Sequence, residues 1–345
     1  MLYDGVLKGI KNINPPTRLS FLPYFSTYLN HYDGETTTNF NGGMDVKYGI
    51  NDAFTLDLTL IPDFGQASFD KSVLNLSPFE VQFQEQRSFF TEGTELFSKG
   101  DLFYSRRVGG NPSRYPTLND EEEIIENPEK VKLFNAVKIS GRTNKGLGIG
   151  FFNAITEKMN AEIRNINTGE IRQEVTEPWA NYNVMVLDQR FRGNSSVSLV
   201  NTNVTRDGEF RDANVTALLF DIRNKKNTYQ YFGGTKGSFV MEDGTKFGNE
   251  TSLGFNKVSG ANRFGGKYFM RTADYDIGDL GYFDQTNYHS FQANYSYRYL
   301  QPKGNLNNLF YSLQITHQRL LDQDHFNHLV VYNSFDTTNK NFFGF

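Results

Sequence analysis

Phe291-Gln-Ala-Asn-Tyr-Ser-Tyr-Arg-Tyr299 alternates strictly between apolar and polar side chains. Successive side chains of a β-strand point to opposite faces, so Phe291, Ala293, Tyr295, Tyr297 and Tyr299 make one greasy surface. Gln292, Asn294, Ser296 and Arg298 make one wet surface on the other side. The same pattern recurs in Met44/Val46/Tyr48/Ile50, Phe54/Leu56/Leu58/Leu60, Leu147/Ile149/Phe151, Phe264/Tyr268/Met270 and Leu309/Tyr311/Leu313/Ile315. Opposite Leu147 and Ile149 lie Gly146, Gly148 and Gly150. These runs are longer than the ~5–6 residues of an ordinary globular strand and close to the ~9–11 that cross a bilayer.

From residue 131 onward the connections divide into two kinds. Short turns fall at 142–145, 191–194, 223–227, 259–262 and 301–305, and generally longer links at 158–179, 206–211, 242–245 and 274–286. The turns carry Arg142, Lys145, Arg192, Arg223, Lys225, Lys226 and Lys303 without an acid. The longer links hold Glu170, Glu174, Glu177, Asp207, Glu209, Glu242, Asp243, Asp274, Asp276 and Asp279 with fewer bases. Short periplasmic turns and longer external loops are the mark of an outer-membrane barrel. The expected fold is therefore all-β, an antiparallel transmembrane β-barrel of the outer-membrane type with roughly fourteen strands. Residues 1–345 are expected to form one such domain, incomplete in this chain.

Composition agrees. The 345 residues include 32 Phe and 19 Tyr, yet mean hydropathy is −0.55, as when half of every strand faces water. No apolar run is long enough for a membrane helix. The absence of cysteine excludes disulfides and thiolate chemistry, and a net charge of −4 argues against nucleic acid. No basic stretch followed by an apolar one opens the chain, so an export signal is expected upstream.

Residues 63–101 break the rhythm, being too long for a hairpin and rich in Phe and Leu. With Leu102–Arg107 taken as a strand, both ends of this segment fall on the periplasmic side. It is expected to enter the lumen as a plug or to cap the periplasmic mouth. An acidic stretch follows at 118–129.

The segment Pro62-Asp-Phe-Gly-Gln-Ala-Ser-Phe-Asp70 is followed by Val73-Leu-Asn-Leu76, Glu85-Gln-Arg-Ser-Phe-Phe-Thr-Glu-Gly93 and Leu102-Phe-Tyr-Ser-Arg-Arg107. In that order these resemble the DUF5916 family of Bacteroidetes. Lys138 to Thr156 looks like that family's next hairpin. Ile61, Ser68 and Gln86 depart from the family pattern, the last within its Glu-Lys-Arg unit. The resemblance implies an outer-membrane barrel, often preceded by a family-9-like carbohydrate-binding domain that is absent here, and it implies no particular activity.

Candidate chemistry is sparse. Glu80, Glu85, Glu92 and Glu95 invite a glycosidase reading, which needs one carboxyl with a raised pKa. No pattern provides it, so Glu85, Arg87, Glu92, Arg106 and Arg107 are read as ion pairs between plug and lumen wall. Asp274, Asp276 and Asp279 have carboxylates suited to a cation but not the EF-hand spacing, and a solvated loop is the simpler expectation. No cofactor is expected. The expected partners are outer-membrane lipid and a carbohydrate-related or other small solute passing a plugged channel or transporter. The alternatives are a membrane anchor for a carbohydrate-binding module and an outer-membrane hydrolase.

Overall fold

The computed structural model describes residues 18–32, 35–62, 73–76, 80–283, 285–299 and 301–344. The motif expected over 62–70, Pro62 apart, lies outside them.

Fourteen strands form one antiparallel sheet in the order β1 (Leu19–Tyr32), β2 (Glu35–Gly49), β3 (Phe54–Leu60), β5 (Leu133–Arg142), β6 (Leu147–Thr156), β9 (Ala180–Phe191), β10 (Ser195–Arg206), β11 (Asp212–Arg223), β12 (Tyr229–Met241), β13 (Thr245–Lys257), β14 (Asn262–Arg271), β15 (Tyr288–Tyr299), β16 (Leu306–Leu320) and β17 (Phe326–Asn339). Each pairs with its neighbour in that order, and β1 and β17 are its two edges. Three shorter strands, β4 (Glu122–Glu126), β7 (Met159–Asn165) and β8 (Ile171–Glu177), make a separate sheet. The long, two-faced meander is that of an outer-membrane-type barrel, with its edges unjoined among the described residues.

The expected faces point as the alternation requires. Phe291 is 54% exposed, and Tyr295, Phe151, Phe264 and Ile315 lie on the same open, outward side. The buried core lies on the other side, where Phe152, Val184, Val186, Val200, Val204 and Val215 point.

The turns at 142–146, 192–194 and 224–228 close one end of the sheet. At the other end, the link at 158–179 is a β7–β8 hairpin, and β12 and β13 are joined through only Glu242–Gly244. That link is as tight as the basic turns, so charge separates the two ends more reliably than length does.

The long insertion departs from expectation in its polarity. Phe54 pairs with Gly141, beside the basic turn, and Leu60 pairs with Asn135. The chain therefore leaves β3, and re-enters at β5, at the acidic end. Leu102–Arg107 is not a strand; only Ser105–Arg107 has regular structure there, one 3-10 turn. That missing strand reverses the expected side. Within the insertion, α1 (Ser88–Thr91) and α2 (Thr94–Phe97) are single turns of helix.

Candidate functional site

The insertion is held to the inward face of the sheet by shape and by charge. Leu96, Phe97, Phe90 and Leu102 are buried against Phe152, Val184 and Val200. Gly148 and Gly150 make room for α2. A β-carbon at Gly150 would lie 3.3 Å from Leu96 Cβ and 3.4 Å from the Phe97 ring, and one at Gly148 only 2.8 Å from Leu96 Cδ2. This is why an inward-facing strand position here is glycine: the helix turn occupies the space a side chain needs.

Two buried charges of the wall complete the attachment. Lys138, on β5, donates to the backbone oxygens of Phe89 (2.5 Å) and Glu92 (2.8 Å) and faces Asp57 at 3.6 Å. Asp188, on β9, is fully buried. It accepts from Ser198 Oγ at 2.6 Å and Arg142 at 2.6 Å, and lies 3.2 Å from Lys99 of the insertion. Arg142 also reaches Glu95 on α2 at 3.0 Å. Buried ions tend to be paired because an isolated charge in low dielectric costs several kcal/mol.

A second set of contacts stiffens the insertion itself. The Arg87 guanidinium makes a double bond pattern to Glu85, at 2.7 Å and 2.9 Å, and donates to the carbonyls of Ser105 (2.7 Å) and Val108 (2.9 Å). It also stacks 4.2 Å over the Phe90 ring. Ser105 Oγ donates to Glu85 at 2.5 Å. Burial alone would raise the Glu85 pKa, but the Arg87 and Ser105 hydrogen bonds outweigh it and hold the carboxyl at about 2. Glu92 is likewise lowered, chiefly by its hydrogen bond from Lys47. Neither carboxyl has the raised pKa of a glycosidase acid.

The five candidate ionic residues thus divide. Glu85, Arg87 and Arg106 meet one another inside the insertion, with Arg106 4.0 Å from Glu85. Arg107 pairs with Glu80 at 2.6 Å, also within the insertion. Among the described contacts, Glu92 reaches the sheet, at Lys47 on β2. The expectation of a plug-to-wall array is corrected: the residues close in sequence find each other first, and the wall contacts are made by Lys138, Arg142 and Asp188. Those three were missed. The signal that marks them is charge on a strand face that also carries small or apolar residues, Ala136 and Ser140 beside Lys138 and Arg142, and Val184 and Val186 beside Asp188.

At the acidic end the insertion meets the 272–287 link. Tyr104 N donates to Leu280 O at 2.6 Å and Arg107 to Gly281 O at 3.2 Å. Nearby, Arg206 is enclosed by Asp279 (2.9 Å) and Glu177 (3.4 Å), and Arg211 joins Asp276 (2.7 Å) to Asp279 (2.8 Å). Asp276 and Asp279 are therefore arginine partners, and with Asp274 they form no metal-binding group among the described residues. Between these parts lies a cavity of about 1360 Å³, lined by Arg87, Tyr104, Arg107, Tyr182, Arg206 and Asp279 among others. Acids and bases line it in nearly equal number, with Arg107 paired to Glu80 and Arg206 to Asp279 and Glu177, so it offers a polar, nearly neutral chamber.

Beyond β11 the inward face is wetter. Glu250 is buried between Lys236 at 2.7 Å and Arg271 at 2.6 Å. Further along, Gln292, Asn294, Ser312 and Gln314 face the same side with no insertion helix packed on them.

Among solved structures, the chain is similar to OccK5 (OpdH) of Pseudomonas aeruginosa, at 12% identity and a TM-score of 0.36, covering 92% of this chain and 75% of that one. It is also similar to a BenF-like porin from Pseudomonas fluorescens Pf-5, at 10% identity, a TM-score of 0.32 and 93% of each chain. Both likenesses are too remote to transfer residues or function. No curated protein matches the sequence. The model of a domain of unknown function, DUF5916, matches residues 15–345, and the chain belongs to that family.

Proposed function

We propose that this chain is a channel of the bacterial outer membrane, closed at rest by its insertion, for small polar solutes that include carbohydrate-derived ones. The observation that carries this reading is the division of the inward face. One part is sealed by the insertion through Lys138, Asp188 and the Gly148/Gly150 pocket. The remainder, with Gln292, Asn294, Ser312 and Gln314, has the amide and hydroxyl groups that hydrogen-bond hydroxylated solutes. Outer-membrane lipid is the partner of the outward face, where Phe291, Leu253 and Val331 are exposed.

A reversible lock tests it. The chain has no cysteine of its own. Leu96→Cys with Gly150→Cys places two β-carbons near the ~3.5–4.5 Å separation of a disulfide. Single-channel recording in planar bilayers should show the oxidised protein closed and the reduced protein opening. Deleting residues 80–101 should leave it permanently conducting. Equal conductance from the locked, reduced and deleted forms would sink the gating idea.

A further inference from the structure

The outward face of the sheet is not uniformly apolar. Across seven neighbouring strands, Asn135, Asn153, Asn183, Asn201, Thr216, Thr235 and Thr251 form a continuous polar band. Each is the seventh to ninth residue of its strand, counted from the basic-turn end. Antiparallel pairing and strand tilt carry that count into one level, about 15–20 Å from the turns and inside the ~25 Å apolar belt of a barrel.

The band has lipid-type residues below it, and above it on β5, β6, β12 and β13, while on β9 to β11 Asn181, Asn203, Thr205 and Asn214 continue the polar surface toward the acidic end. Below it lie Phe151, Met185, Leu199, Leu218 and Leu253, all exposed. Above it lie Phe239 and Phe247, tilted against each other at 4.9 Å between centroids, and Trp179 edge-on to Phe134 at 6.0 Å. On the four outer strands of the band, apolar residues stand beyond it, which a headgroup boundary would not have. At the same level on the other strands, the outward residues are Phe291, Ala293, Leu313 and Val331, with Asn333 the one amide among them.

The band is partly self-satisfied. Asn153 Nδ2 donates to the side-chain oxygens of Asn181 (2.6 Å) and Asn183 (2.9 Å), Asn201 to Thr216 Oγ1 (2.8 Å), and Asn249 to Thr235 Oγ1 (2.9 Å). Each amide has two N–H donors and a carbonyl with two lone pairs, so these ladders do not exhaust it. Unsatisfied polar groups cost several kcal/mol in hydrocarbon.

We infer that this band is an interface within the membrane, and that its occupant is a second copy of this chain. Amide and hydroxyl groups both donate and accept, so the surface complements itself, and it carries no charge to repel its image. Six strand spacings give a width of about 30 Å. Over the ~25 Å belt that is about 700 Å² per copy, close to the ~800 Å² per partner of a standard interface. The inference rests on the membrane reading above.

Single-cysteine variants test both, since the parent has none. Thr216→Cys lies in the band and Leu313→Cys at a matching height on β16. In proteoliposomes, a short thiol cross-linker should join copies through Thr216→Cys at least tenfold more than through Leu313→Cys. A spin label at Leu313 should be open to oxygen and closed to an aqueous nickel chelate; one at Thr216 should be closed to both. The unmodified protein in mild detergent should be oligomeric by native mass spectrometry, and Asn201→Leu with Thr216→Leu should be a folded monomer. A monomeric parent, equal cross-linking at the two sites, or a Thr216 label open to oxygen or to the chelate overturns the interface. A Leu313 label open to the chelate overturns the membrane reading and takes the interface with it.

Discussion

The two parts of the wall differ in what their inward faces are made of and in what covers them. From β5 to β11 the inward face is largely apolar or small, carries the paired charges Lys138, Arg142 and Asp188, and is covered by the insertion. The outward face there sets amides and hydroxyls among apolar side chains such as Phe151, Met185, Leu199 and Leu218. From β14 to β17 the inward face is amide and hydroxyl, while Phe291, Leu329 and Val331 stand outward. The same alternation serves both with apolar side chains outward, and it is the inward face that changes, from apolar beneath the insertion to polar away from it. The difference teaches that period 2 fixes that a strand has two faces, and that what each face touches decides which one is apolar.

The comparison breaks most readily at Asp188. Replacing it by Leu removes the partner of Arg142 and Lys99 in a dry site, and should destabilise by about 3–5 kcal/mol, read as a lower urea midpoint in vesicles. A midpoint unchanged by Asp188→Leu would mean that the pinned half is no more demanding than the wet one. Lys138→Met should act in the same direction and raise basal conductance, because the carbonyls of Phe89 and Glu92 lose their donor.

The Glu85 clamp gives a pH-dependent form of the same contrast. Its folded pKa, about 2, lies below the unfolded value of 4.5, so the unfolded state binds the proton more readily. The clamp is therefore at full strength above pH 4.5 and is lost as pH falls towards 2. The difference corresponds to roughly 3 kcal/mol. Acid should loosen the insertion between those limits, seen as protease cleavage near residue 85, and Glu85→Gln should abolish the transition. Persistence of the transition in that variant would assign it elsewhere.

Smaller effects should sharpen the picture. Gly150→Leu forces a side chain into α2 and should cost about 1–3 kcal/mol and open the channel, whereas a leucine on the uncovered face should do neither. Gln292→Ala and Gln314→Ala should change stability by less than about 0.5 kcal/mol while altering solute permeation. Permeation identical to the parent in both would remove these residues from the path.

Much of the fold was legible in the chain because strand alternation and turn chemistry are local. Phe291–Tyr299 states its two faces by itself, and the basic turns at 142–145 and 223–227 fall where the sheet reverses. The side at which the insertion enters was not legible. It depended on whether Leu102–Arg107 is a strand, and that segment is taken out of the sheet by packing of Leu102 against the wall and by the Ser105–Arg87 bond. Of the candidate residues, Glu85 and Arg87 were recognisable because their partners are near in sequence. Lys138 and Asp188 act on partners about 46 and 89 residues away, a separation no local pattern encodes.

Sequence alone determined that this protein is a long antiparallel meander with one basic and one acidic end, since period and turns are written residue by residue. The tertiary structure decided which face is covered where, which charges are paired, and that the amides of β5 to β13 line up at one level. Those properties belong to register across strands, and register exists only once the strands have met.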